Sequence, residues 1–201
     1  EAFGGYPWYE KFTCERCGNF LKEPFCPNCN TSETREAYPI DQLVNEYFKE
    51  MLQAFTPGML GLISQVAGVS DITGFTTGGF VALEKLIEEK YRSNTAQVLD
   101  AILDVFKVSP EDLVFYDNET CILPTLQNRG LGKKLSQIRV QTATEMGAEL
   151  ICGRTINQPW LKLKEKQLGE AGYRFQAQVP SGDFYQVDGK PRYFYLAKKA
   201  K

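Results

Sequence analysis

The sequence predicts an α/β chain: a sheet-and-helix domain that carries a small metal-bound ribbon at its N-terminal end. Two patterns point there. From residue 36 onward, apolar strand-like runs alternate with helix-period segments, the order that builds a sheet with helices packed on it. Ahead of them, Cys14, Cys17, Cys26 and Cys29 form C-x2-C-x8-C-x2-C, two matched thiolate knuckles. The length of 201 residues supports a full core without staples, and 43% hydrophobic with 24% charged residues is the mix of a globular chain.

The ribbon comes first. Each C-x-x-C turn aims two thiolates at one point, and two such turns close together read as a tetrahedral zinc site rather than disulfides or redox dithiols. Gly18 and Pro27 suit the turns. Zinc thiolates need a reducing compartment, so a cytoplasmic location is expected. The chain starts at Glu1 without methionine, which predicts a trimmed piece, and residues 1–13 lack the pattern of a signal peptide. Charges in residues 1–35 are mixed, whereas a nucleic-acid ribbon needs a basic face. The aromatics Phe3, Tyr6, Trp8, Tyr9, Phe12, Phe20 and Phe25 suggest docking on the main domain or on a protein partner.

The polar stretch 30–36 is expected to break the ribbon from a domain spanning 36–201. Asp41 caps a helix expected to run to Phe55 and stop at Pro57-Gly58. Met59–Ala67 and Asp71–Phe80 read as strands joined by Gly68-Val69-Ser70. Residues 81–107 are helical in pattern, in two pieces broken at Ser93-Asn94-Thr95. Leu113–Leu123 is a strand ended by Pro124. Gly130–Met146 is a helix with Leu131, Leu135, Ile138 and Met146 at helical spacing. A strand over Leu150–Ile156, a helix over Trp160–Ala171, and strands over Tyr173–Val179 and Arg192–Ala197 complete the chain.

Composition removes several function classes. No apolar run reaches the 18 or so residues of a transmembrane helix. A net charge of −2, from 23 basic and 25 acidic residues, disfavours a broad grip on nucleic acid. There is no histidine, so histidine-based nucleophile activation, acid–base catalysis and metal ligation are out. Proton transfer must use carboxylates, tyrosines, lysines, thiols or water.

Residues 119–135, ETCILPTLQNRGLGKKL, carry the chemistry. A strand ends at proline, and Gln127-Asn128-Arg129-Gly130-Leu131-Gly132 opens a helix. Backbone N–H groups at a helix start attract anions. Gly130 and Gly132 let phosphate oxygens approach, and Arg129, Lys133 and Lys134 add positive charge. The spacing fits neither a Walker loop nor the dinucleotide fingerprint.

This Q-x-x-G-x-G after a strand ending Ile-Leu-Pro resembles the signature of the GNAT superfamily of N-acetyltransferases. DITGFTTGGF (71–80) looks like the family's strand before the signature strand. Thr155-Ile156-Asn157 and Gly172-Tyr173 resemble its later Asn…Gly-Phe segment. The resemblance covers residues 36–200. It implies a mixed, mostly antiparallel sheet flanked by helices, with 81–107 as a helical insertion. It also implies acetyl-coenzyme A, or another acyl-coenzyme A, held by Gln127 through Lys133. If the signature strand splays from its neighbour as the family's does, the backbone around Cys121, Ile122 and Leu123 binds pantetheine and the thioester carbonyl. Asn157 either bonds the pantetheine amide or caps a helix. Leu168 stands where many members place the tyrosine that protonates the leaving thiolate.

Transfer to an amine needs a base, here a carboxylate. Asp117 and Glu119 lie two apart, so at period two they share a face of the strand, unless Asp117-Asn118-Glu119 is a solvated hairpin turn. Glu119, resembling in position the acid before the family's signature run, is the first choice. Tyr116, Tyr185 and Tyr193 are candidate acids, and Cys121 reads as packing. Two functions follow: an acyl-coenzyme A-dependent N-acyltransferase, or a non-catalytic acyl-coenzyme A-binding sensor that meets a partner through its ribbon.

Overall fold

The computed structural model describes residues 9–39, 56–64, 73–91, 95–180, 183 and 187–200, with backbone alone over 56–64. The chain forms two compact units. One holds 9–39 and 187–190 of the described residues; the other holds the rest. The helix expected from Asp41 and the Gly68-Val69-Ser70 connection lie outside the described residues.

The first unit contains a three-stranded antiparallel sheet: β1 (Phe12–Cys14), β2 (Phe20–Leu21) and β3 (Thr34–Glu36), in the order β2-β1-β3. The polar stretch read as a break therefore ends in a strand. Thr34–Glu36 pairs with β1, so the boundary expected after residue 35 falls inside the ribbon's own sheet. Its small core is Cys14, Leu21 and Cys26, with Phe12 and Cys29 against it.

The second unit is built on β4 (Thr56–Ser64), β5 (Gly74–Ala82), β6 (Leu113–Ile122), β7 (Leu150–Thr155), β8 (Tyr173–Gln178) and β9 (Tyr193–Lys199). Its six-stranded sheet has the order β4-β5-β6-β7-β9-β8, and only β6 and β7 run parallel. Pro57-Gly58 was expected to end a helix but lies inside β4. That strand is at the sheet edge, where proline is tolerated, and its register shifts between Thr56 and Leu60.

Helices α1 (Leu83–Tyr91) and α2 (Thr95–Phe106) follow β5. Val98, Ile102 and Phe106 recur every fourth residue on α2, and with Leu83, Leu86 and Ile87 of α1 they cover one sheet face at Val114 and Tyr116. Helices α3 (Leu131–Glu145) and α4 (Gln158–Glu170) cover the other face, where Phe115, Ile151 and Tyr195 meet Val140, Ala143 and Leu168. The buried side of α3 differs from the expected stripe. Ile138 and Met146 are exposed, while Leu135, Ser136, Arg139, Val140 and Ala143 face inward. None of the described helices is long and apolar enough to cross a membrane.

Candidate functional site

The parallel pair β6–β7 sits mid-sheet, and it is incomplete. The strands pair at Phe115 with Ile151 and at Tyr116 with Cys152; beyond that they part, although β6 continues to Ile122 and β7 to Thr155. The separation starts at a β-bulge. Gly78 of β5 faces Asp117, but Thr76 faces Thr120, so β6 carries one extra residue between Asp117 and Thr120.

That residue overturns the expectation that Asp117 and Glu119 share a face. Thr120 and Ile122 take Asp117's side: a Cβ placed on Gly132 of α3 would lie 3.9 Å from Thr120 Cγ2 and 3.7 Å from Ile122 Cγ1. By alternation Glu119 and Cys121 point to the α1–α2 face. Nor is the segment a hairpin turn; it lies within β6.

Asp117 is 3% exposed and fully engaged. Its Oδ1 pairs with Arg139 Nη2, and its Oδ2 accepts from Lys164 Nζ at 2.5 Å and from the Tyr195 hydroxyl. Burial alone would raise its carboxyl, but Arg139 and Lys164 outweigh that and hold it below the usual carboxylate value. Burial brings the Lys164 ammonium down to about 8 against the pull of Asp117. Arg139 Nη1 also donates to the carbonyls of Thr77 and Glu119, both at 2.7 Å, and so stitches the bulge in place. A side chain on Gly153 would collide with the Tyr195 phenol.

On the opposite face Glu119 is half-buried. Tyr116 lies near it, with Lys90 Nζ 5.5 Å from the Tyr116 ring centroid and Arg154 4.3 Å from that of Tyr91. Burial pushes the Tyr116 phenol and the Cys121 thiol up, the latter to about 12, which favours the protonated thiol. Tyr193 accepts a hydrogen bond from Gln158 at 3.0 Å. Tyr185 lies outside the described residues.

The anion loop follows β6 directly. Leu123 leads into a single 3-10 turn, Pro124–Leu126. Gln127 Nε2 donates to the Ile122 carbonyl at 3.2 Å, holding the loop against the strand end. Gly130 is left-handed (φ +79°) and precedes α3 with no capping side chain. The first-turn N–H groups of Leu131, Gly132 and Lys133 therefore open onto an exposed surface with Asn128 and Arg129 beside them. At Gly132 an alanine would make ordinary contacts, so only a bound group would exclude a side chain there. Asn157 caps α4: its Oδ1 accepts from Trp160 N at 3.0 Å.

In the ribbon the four cysteine sulfurs all lie within 4.8 Å of one another, with Cys17 and Cys26 Sγ 3.7 Å apart and no disulfide. Four sulfurs around zinc at roughly 2.3 Å sit roughly 3.8 Å apart, so the donor set fits. The backbone N–H of Cys17 brings Cys14 down to about 7, while the Cys17 side chain foremost drives Cys29 up to about 12. Four neighbouring thiols cannot all ionise without a cation among them.

Comparison of the sequence with protein-family models and with curated proteins finds no match. Solved structures share its fold. Arylalkylamine N-acetyltransferase 2 from Aedes aegypti superposes with a TM-score of 0.54 at 13% identity, over 83% of each chain. Mosquito arylalkylamine N-acetyltransferase like 5b gives 0.52 at 12% identity, over 81% of this chain and 82% of that one. The fold, a mixed, mostly antiparallel sheet flanked by helices, is the one these two arylalkylamine N-acetyltransferases share.

Proposed function

We propose that this chain transfers an acyl group, acetyl first among candidates, from an acyl-coenzyme A to an acceptor amine. The observation that carries the reading is the splay of β6 from β7, opening next to an uncapped helix start. The opening leaves strand backbone able to bond amides and a thioester carbonyl, while the N–H groups of Leu131, Gly132 and Lys133 meet pyrophosphate. Arg129 and Lys133 add charge at the mouth. Cys121, Ile122 and Leu123 contribute backbone alone, and Gln127 shapes the loop.

Glu119 is the base. Asp117, the other candidate, is committed to two cations and a phenol, which makes it a poor proton acceptor. An acceptor amine is mostly protonated at neutral pH, so Glu119, directly or through water, takes its proton as the nitrogen attacks. In the ribbon, Cys14, Cys17, Cys26 and Cys29 hold zinc, which gives a unit with a minimal core its folding energy. One zinc per chain by metal analysis, lost together with ribbon structure on chelation, is the expected result; a stoichiometry near zero contradicts it. A reducing compartment such as the cytoplasm suits these thiolates, and a protein partner for the ribbon suits its aromatics better than nucleic acid does.

The second reading, a non-catalytic acyl-coenzyme A sensor, draws on Leu168. It is fully buried in the core and supplies no proton. Calorimetric titration with coenzyme A, followed by acetyl transfer to a panel of amines, separates the two. Binding with turnover supports the enzyme, binding without turnover supports the sensor, and no binding contradicts both.

A further inference from the structure

Acyl transfer leaves a thiolate that needs a proton, and Leu168 cannot give one. We infer that Lys164 is the proton donor to the leaving sulfur, delivered from the floor of the β6–β7 splay and aimed by Asp117. The inference rests on the acyl-transfer reading above.

The geometry places Lys164 where that step would occur. Its side chain is fully buried on the α3–α4 face, one helical turn before Leu168 and so nearer the start of α4. Its Nζ is tied to Asp117, the last β6 residue before the bulge, where the strands part. On its other side Nζ lies 5.3 Å from the centroid of the Trp160 ring. A Cβ on Gly132 would be 4.0 Å from that same ring. Gly132, Trp160, Lys164 and Asp117 thus form a chain of neighbouring groups from the anion loop to the point where the strands part.

The ammonium is also short of acceptors. It offers three N–H donors, and among the described residues it has no hydrogen-bond partner beyond its ion pair with Asp117. A buried donor left unmatched is costly, and an arriving sulfur or carbonyl would complete it. The charged and titratable groups facing it are Asp117 from β6, Arg139 from α3 and Tyr195 from β9. Cys152 on β7 is within Coulomb reach of the same Asp117. Burial outweighs Asp117 and brings Lys164 to about 8, so near neutral pH it is charged yet able to give up its proton.

The step balances. As the tetrahedral adduct collapses, the C–S bond breaks and its electron pair stays on sulfur. Lys164 passes one proton to that sulfur, giving the free thiol, and is left as a neutral amine that regains a proton from solvent. The attacking nitrogen loses two protons, one as ammonium becomes amine and one from the adduct, and both leave through Glu119 to solvent; the reprotonation of Lys164 takes back one, so the net reaction releases one proton.

Lys164→Arg is the test, because guanidinium keeps the pairing with Asp117 but cannot release a proton near neutral pH. With an alkyl thioester donor, turnover should fall by ~10²–10⁴-fold while coenzyme A affinity by calorimetry stays within a few-fold. The wild-type fall in turnover as pH rises through about 8 should vanish in the variant. With an aryl thioester, whose leaving thiolate needs no proton, wild type and variant should converge. An NMR lysine signal missing from the variant should titrate near 8 and move when coenzyme A is added. Unchanged turnover in the variant, a loss equal for both donors, or an unmoved lysine signal overturns the assignment and leaves acyl transfer standing. A wild type silent on both donors overturns the acyl-transfer reading, and this inference with it.

Discussion

The first part of β6 lies between two strands at Phe115 and Tyr116, whereas the part beyond Asp117 keeps β5 and gives up β7. Val114 and Tyr116 pack into one core and Phe115 into the other, so the first part behaves as an ordinary central strand. In the second part, side chains replace strand pairing: Arg139 and Thr76 donate to the Glu119 carbonyl, and Gln127 donates to that of Ile122. One strand thus passes from building the fold to presenting backbone, and the change occurs within the single extra residue of the bulge. The buried Asp117–Arg139–Lys164–Tyr195 group sits at that change and fixes its position.

Substitutions on the two sides of the junction should behave differently. The largest expected effect is on chemistry, beyond the bulge: Glu119→Gln should lower turnover ~10²–10⁴-fold with coenzyme A affinity within a few-fold and stability unchanged. Steady-state kinetics on a folded variant checks it, and wild-type turnover would remove Glu119 from the base role.

At the junction the expected effect is on stability. Asp117→Ala leaves Arg139 and Lys164 buried without their counter-charge and should cost ~3–5 kcal/mol in denaturant unfolding. The sign with pH follows from the lowered carboxyl. This stabilisation is fully present above the ordinary value of 3.8 and is lost as pH falls through the lower folded-state value. The wild-type advantage over the alanine variant should therefore shrink in acid. An advantage that is constant with pH contradicts the ion-pair account.

At the loop, Gly132→Asp should split the two properties. A carboxylate in the first turn of α3 suits the helix dipole, so stability should hold or rise by a few tenths of a kcal/mol. The same charge opposes pyrophosphate, so coenzyme A affinity should fall on the order of tenfold or more. Equal affinity in calorimetry would show that the anion site lies elsewhere.

The loop and the cysteine ribbon were legible in the sequence because both are local. Gly130 and Gly132 after a strand end, or two C-x-x-C turns, hold their geometry within a few residues. The helices after β5 were legible from their period. The bulge was not, because register belongs to a pair of strands: nothing within residues 117–120 tells that Thr76, rather than Phe75, meets Thr120. With the register unseen, Asp117 and Glu119 seemed to share a face. Arg139 and Lys164 were missed for a related reason. They lie in GKKLSQIRVQ and LKLKEK, where cations at helical spacing read as a solvated face, and only the shortage of apolar residues on α3 hinted that polar ones fill its buried side. Pro57 misled in the opposite direction, since a proline that ends helices is also at home on an edge strand.

The account turns on one claim, that the open end of β6 and the start of α3 bind coenzyme A. Amide hydrogen exchange of the full chain, with and without saturating coenzyme A, tests it most directly. The account predicts new protection at Leu131, Gly132 and Lys133 and along residues 118–123 of β6 and its loop, with β8 unchanged. Binding that protects another part of the sheet while leaving these amides exchanging as before would contradict it.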